Sequence, residues 1–138
     1  MADCVFCRVV ADGQDLLLRT DTVAAFLDHH PVFPGHVLIV PVEHVDTLAE
    51  LPQELMVPLL STAQRFLAAL GDVVGAEGTF VAMNNVISQS VAHLHLHVVP
   101  RRKGDGLRGF FWPRHPYADD AERQAMRDRL REALQAGA

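Results

Sequence analysis

Cysteine is scarce in this chain: two in 138 residues, at positions 4 and 7. That is too few for a disulfide framework and fits a reducing, cytoplasmic setting. Basic charge is also short, with 12 Lys and Arg against 17 Asp and Glu and a net charge of −5. A general nucleic-acid binder needs the opposite balance. No apolar run approaches the ~18 residues of a membrane span. The start, Met1-Ala2-Asp3-Cys4, has neither a basic cluster nor an apolar stretch, so no export signal is expected. Charged residues, at 21%, are too few for a disordered chain, and 49% apolar content is that of a globular domain. Histidine, in contrast, occurs eight times.

The length suits one domain, 1–138, with a core at about 4–100 and a C-terminal loop and helix over 101–138. Residues 16–20 and 22–28 read as short strands, and 36–41, closed by Pro41, as a buried one. Met56, Leu59, Leu60, Ala63, Leu67 and Leu70 recur at helical spacing, which predicts one helix face from near Pro52 to Gly75, with Pro58 awkward inside it. Strand character returns at 78–85 and 93–100. From Asp119 to Ala136, Met126, Leu130, Ala133 and Leu134 form one stripe, with acidic residues early, which predicts a helix packed on that stripe. Strands and helices do not alternate. The expected class is α+β, a mainly antiparallel sheet of about five strands with one long central helix and a C-terminal helix.

The informative run is His93-Leu-His95-Leu-His97-Val-Val-Pro100. On a strand the three imidazoles share one face, spread over ~13 Å, and the leucines share the other. Three readings are open for such a face: a solvated polar surface, a metal chelate, or phosphoryl chemistry with an imidazole nitrogen attacking phosphorus.

The run has the form of the histidine-triad signature, and other segments agree with it. These are Cys4-Val-Phe-Cys7, Phe26-Leu27-Asp28 followed by Pro31, Pro34-Gly35-His36-Val-Leu-Ile-Val-Pro41, His44, Asn84-Asn85 and Gln89-Ser90-Val91. Together they cover most of residues 4–100, and the chain resembles the bacterial nucleotide-hydrolase and transferase branch of the histidine triad (HIT) family. The resemblance implies a HIT-like fold, usually homodimeric, acting on a purine nucleotide or nucleotide conjugate. His95 would be the nucleophile that forms a nucleotidyl-histidine, His97 would hydrogen-bond phosphate or leaving-group atoms, and His36 would help orient His95. Asn84, Gln89 and Ser90 would hold the phosphate, Asp28 the ribose hydroxyls, and Phe6, Val9, Phe26 and Leu27 would wall the base. The chain departs from the family in a shorter loop between Asn84 and Gln89, and in Ser88 where glycine is common.

Cys4-x-x-Cys7 has chelate spacing, open to readings as buried thiols, a redox pair or half a zinc site. By resemblance, His44 and His93 would complete a structural zinc site. Five of the basic residues, Arg101, Arg102, Lys103, Arg108 and Arg114, crowd one segment, which is either a solvated loop or a contact for a polyphosphate chain. Gly104-x-Gly106-x-x-Gly109 copies a dinucleotide fingerprint, but the Pro113 and Pro116 that follow forbid the helix it should open. Phe110, Phe111 and Trp112 are expected at an active-site rim or a dimer contact.

The expected activity is hydrolysis of P–N or P–O–P bonds at a nucleoside α-phosphate. A dinucleoside polyphosphate phosphorylase or nucleotidyl transferase, or a nucleotide-binding regulatory module, is the alternative. The substrate, the base and the leaving group are not legible from these residues.

Overall fold

The structure, a computed structural model, describes residues 3–108 and 113–137. They fall into two compact units, Met1–Asp105 and Gly106–Ala138. The first carries α1 (Val5–Asp12), β1 (Leu16–Arg19), β2 (Val23–Leu27), β3 (Val37–Pro41), α2 (Gln53–Val74), β4 (Gly78–Ala82) and β5 (Leu96–Arg101), with a short 3₁₀ turn at Leu48–Glu50. The second carries α3 (Asp120–Ala136). Phe110, Phe111 and Trp112, expected at a rim, lie outside the described residues.

The five strands form one sheet in the order β1-β2-β3-β5-β4, every neighbouring pair antiparallel. Alternation decides what each face packs. Val23, Ala25, Val37, Ile39, Leu96 and Val98 turn to one side, where Leu55, Leu59, Ala63 and Leu70 of α2 cover them. Ala24, Phe26, Leu38 and Val40 turn to the other and meet Phe6 and Val10 of α1. The short α1 therefore leaves part of its face of the sheet open.

Three expectations need correction. The stripe on α2 is split: Leu59, Ala63 and Leu70 are buried, but Met56, Leu60 and Leu67 are exposed, and Leu55 and Thr62 complete the inner face. Pro58 lies inside α2, where its missing N–H forfeits one helical bond. Thr62 Oγ1 donates to the Pro58 carbonyl at 2.8 Å. In α3 no residue is buried, and Met126, Leu130 and Leu134 of the expected stripe are exposed. Finally, α1 falls in a segment for which the sequence reading assigned no element. Its N-cap is Cys4, whose sulfur accepts from the Cys7 amide, and Gly13 ends it in the left-handed conformation at φ 76°.

Candidate active site

The histidine run does not lie wholly on a strand. β5 begins only at Leu96. Before it, the Leu94 amide donates to the Val45 carbonyl at 2.7 Å, and the ring of His93 turns inward. His93 is 0% exposed and His95 and His36 are each 3% exposed. At that depth every ring nitrogen needs a partner, and the partners fix which nitrogen carries the proton.

His93 Nε2 lies 2.8 Å from the Pro41 carbonyl and so donates to it. Its Nδ1 then carries the lone pair, 3.4 Å from Cys4 Sγ and 3.5 Å from Cys7 Sγ. His44 repeats the pattern. Its Nε2 donates to Asp46 Oδ1 at 2.8 Å, and its Nδ1 stands 3.3 Å from Cys7 Sγ. The four ligand atoms of Cys4, Cys7, His44 and His93 lie within 4.8 Å of one another. Two sulfurs and two imidazole lone pairs at these separations suit a tetrahedral zinc ion. A carbonyl and a carboxylate behind the two rings are the outer partners such ligands usually have. Burial, followed by the neighbouring Cys4, pushes the Cys7 thiol above its ordinary value, a cost that a cation between the sulfurs reverses. These residues fit zinc.

His95 Nδ1 donates to the main-chain oxygen of His93 at 2.8 Å. That leaves its Nε2 as an unprotonated lone pair in the neutral ring. The ring stacks edge-on to Phe6 at 5.0 Å between centroids, and Phe6 in turn packs on Phe26 at 5.2 Å. With Val9, Leu27, Asp28, His29, Ser90, Val91 and His97 these residues line a cavity of about 210 Å³. The lining combines apolar side chains with a carboxylate, a hydroxyl and three imidazoles.

His36 is placed against His97 rather than His95. Its Nε2 lies 2.9 Å from His97 Nδ1 and 3.6 Å from Asp28 Oδ2, while its Nδ1 accepts the Val32 amide at 3.1 Å. Asp28, His36 and His97 therefore form a second cluster of possible metal donors. An ion on His36 Nε2 would move the ring proton to Nδ1, against the Val32 N–H, so the cluster is better described as a hydrogen-bonded chain. Burial is the main cause that lowers the His36 and His93 values, and it takes His97 to about 4.

Asn84 and Gln89 do not line the cavity. Asn84 Nδ2 donates to the Ser88 carbonyl at 3.2 Å. Gln89 Oε1 accepts the Val86 amide, and its Nε2 donates to the Asp46 carbonyl at 2.6 Å. Asn84 thus braces its own loop, and Gln89 both braces that loop and ties it to Asp46. The basic segment is similarly engaged: Arg101 pairs with Asp105 at 2.6 Å, and Arg102 donates to the Val74 carbonyl at the end of α2. The sequence reading had overlooked Asp46, the Pro41 carbonyl and the Val32 amide. Asp46 alone had a signal, a carboxylate two residues after a candidate ligand.

The HIT domain family model matches residues 12–104. A HIT-like protein of Mycobacterium tuberculosis is 34% identical over 139 residues, covering 95% of this chain and 92% of that protein. An adenosine 5′-monophosphoramidase of Schizosaccharomyces pombe is 30% identical, covering 85% and 88%. Among solved structures, a Streptococcus mutans protein superposes with a TM-score of 0.84 at 29% identity over 97% of this chain and 87% of that one. A zinc-bound histidine triad protein of Mycobacterium smegmatis gives 0.72 at 31% over 96% and 98%. With the family pattern running through both the sheet and the histidine run, and relatives aligned along most of their own length, the chain belongs to the histidine triad (HIT) family.

Proposed function

We propose that this protein hydrolyses P–N or P–O–P bonds at the α-phosphate of a purine nucleotide conjugate through a nucleotidyl-histidine intermediate on His95. The carrying observation is the bond from His95 Nδ1 to the His93 carbonyl. It aims the Nε2 lone pair from a ring that lines the cavity, at no cost of reorientation during reaction. The bond to phosphorus forms from Nε2, the bond to the leaving group breaks, and its electron pair departs with that group. Water then attacks the same phosphorus, releasing the nucleoside monophosphate and restoring Nε2. The apolar wall of Phe6, Val9, Phe26 and Leu27 takes the base, Asp28 meets the ribose hydroxyls and Ser90 meets phosphate oxygen. The S. pombe relative named as a phosphoramidase supports the reaction class.

Cys4, Cys7, His44 and His93 hold a structural zinc, in line with the zinc-bound M. smegmatis relative. Zinc there ties the start of α1 to the segments carrying His44 and His93. Thiols kept as zinc ligands suit a cytoplasmic setting. The protein pairs as a homodimer through the outer face of α2 and the edge strand β4. Met56, Val57, Leu60, Leu67 and Val81 line an open groove there, an apolar patch of the kind that marks interfaces. Sedimentation equilibrium tests the pairing, and a monomer at micromolar concentration would remove it.

The deciding experiment is rapid acid-free quench of enzyme with labelled adenosine 5′-phosphoramidate. Wild type should trap an adenylyl adduct mapped to His95. His95→Asn should show none and should lose turnover by several orders of magnitude while still binding nucleotide. Near wild-type turnover in that variant overturns the reading.

A further inference from the structure

We propose that Cys4 is a peroxide-reactive sulfur and Cys7 its resolving partner, so that a small uncharged hydroperoxide joins the two as a disulfide and frees the metal they hold. The proposal rests on the reading of Cys4, Cys7, His44 and His93 as a zinc site.

The two sulfurs differ in access. Cys4 lines an open groove of about 420 Å³ with Asp3, Val5, His44, Asp46 and Ser90, and Cys7 does not line it. Cys7 Sγ stands instead between two rings, 3.3 Å from His44 Nδ1 and 3.5 Å from His93 Nδ1. Cys4 is also the N-cap of α1, and its sulfur accepts the Cys7 amide at 3.4 Å. A cysteine at a helix N-terminus and against a cation is held as thiolate, the form that oxidants attack. The sulfurs converge as well. The fully buried His93 ring aims its Nδ1 at both, 3.4 Å from Cys4 Sγ and 3.5 Å from Cys7 Sγ. Cα atoms three residues apart at a helix start are roughly 5–6 Å from one another, within the span of a disulfide, so the bond can form without unwinding α1.

The groove selects the oxidant by charge. Two thiolates offset a divalent ion, so the carboxylates of Asp3 and Asp46 set the sign of the lining. Hydrogen peroxide is neutral and small, whereas glutathione disulfide is bulky and anionic at pH 7. Peroxide transfers one oxygen to Cys4 Sγ, its O–O bond breaks, and the departing hydroxide takes a proton to become water. Cys7 Sγ then attacks Cys4 Sγ. The S–S bond forms, the S–O bond breaks, and the second hydroxide takes a second proton. In sum, two thiolates, one peroxide and two protons give one disulfide and two waters; the sulfurs lose two electrons and the peroxide gains them.

The consequence reaches the nucleotide cavity through α1. Phe6 and Val9 of that helix line the cavity, and Val5 and Ser90 line both spaces. A disulfide leaves α1 without its tie to the segments of His44 and His93. Phe6 and Val9 must then be ordered when a nucleotide binds, at a cost in affinity.

The test treats zinc-loaded protein with hydrogen peroxide at neutral pH. Zinc release is read with a chromogenic chelator and the state of each sulfur by peptide mass. One ion should leave per disulfide formed, with the peptide spanning Cys4 and Cys7 lighter by ~2 Da, and dithiothreitol with added zinc should reverse both changes. Dimedone, which traps sulfenic acid, should label Cys4 when present during oxidation. Glutathione disulfide at equal concentration should release zinc at least ~10-fold more slowly. The oxidised protein should bind adenosine monophosphate with a Kd about fivefold higher. Cys4→Asp keeps a helix cap and an oxygen ligand but has no sulfur to oxidise, and it should hold its zinc through the same treatment. Zinc retained by wild type with both sulfurs reduced overturns the proposal, as does dimedone on Cys7, faster release by glutathione disulfide, or unchanged nucleotide affinity after oxidation. Should Cys4→Asp fail to fold, the wild-type peptide masses decide alone. Protein that carries no zinc sinks the underlying reading of the metal site; zinc that peroxide fails to release sinks only this proposal.

Discussion

His95 donates its Nδ1–H to the main-chain oxygen of His93, 2.8 Å away, while the His93 ring points its own Nδ1 at Cys4 and Cys7. One residue therefore serves the metal cluster with its side chain and the candidate nucleophile with its backbone. Removing zinc should be felt first as stability, because three segments lose a shared anchor. The nucleophile is partly insulated, since the Leu94 amide also ties this segment to Val45 at 2.7 Å. Stripping the metal, or Cys7→Ser, should lower the melting midpoint by more than ~5 °C and kcat by ~10-fold or less. Elemental analysis, calorimetry and single-turnover rates on the same samples check this. Unchanged stability with no zinc found would remove the metal site.

The loop over 84–92 carries stored strain. Val86 and Ser88 are the two non-glycine residues with positive φ among the described residues, at 70° and 61°. A branched side chain in the left-handed region is a steric outlier. The Val86 side chain is 73% exposed, so removing it sacrifices little burial. Val86→Gly should stabilise by about 1 kcal/mol and Ser88→Gly by about half that, after the entropy cost of glycine. Denaturant titration gives both values. A destabilised Val86→Gly would mean that the side chain contributes a contact worth more than the strain.

The strain explains why the departure at Ser88 was visible in sequence but its consequence was not. Three imidazoles in alternation, joined to the other family segments, pointed in sequence to phosphoryl or metal chemistry. Which ring nitrogen each histidine leaves unprotonated was not legible, because the Pro41 and His93 carbonyls and the Val32 amide set it. The partners of Asn84 and Gln89 were not legible for a related reason. A side-chain amide serves a phosphate and a loop equally well, and only the Ser88, Val86 and Asp46 partners decide. The sheet was easier, since Val37–Pro41 is apolar on both faces, as a central strand must be. Helix α1 was missed because a cysteine N-cap is no standard start signal, although Phe6 and Val10 are spaced as one helical face.

Asp28 lines the cavity and stands beside the imidazole chain. Its Oδ1 accepts the His30 amide at 2.9 Å and its Oδ2 is 3.6 Å from His36 Nε2. Asp28→Asn keeps the turn but loses the charge and one acceptor for a vicinal diol. Nucleotide KM should rise about 10-fold, with kcat within about threefold of wild type, because ribose binding is shared by ground and transition states. Steady-state kinetics with adenosine and 2′-deoxyadenosine phosphoramidates check it, and the variant should discriminate less between the two. A fall in kcat with KM unchanged would move Asp28 from ribose binding to the His36–His97 chain.

Acid should unfold this protein through its inner histidines. Burial lowers the values of His36, His93 and His97, the last to about 4 against an ordinary 6.5. The unfolded chain takes up these protons more readily than the folded one, so protonation favours unfolding. The stability they represent is complete above about pH 6.5 and is lost as pH falls toward 4. For His97 alone the loss is at most ~3 kcal/mol, and solvent screening of its partly exposed ring reduces it. His36 and His93 add in the same direction. The denaturant midpoint should thus be flat from pH 8 to 7 and fall steeply between pH 6 and 4. His97→Gln should flatten that fall while leaving the neutral-pH midpoint less changed. If wild type and His97→Gln lose stability in parallel down to pH 4, the acid sensitivity belongs to other groups, and His97 is not held neutral by its surroundings.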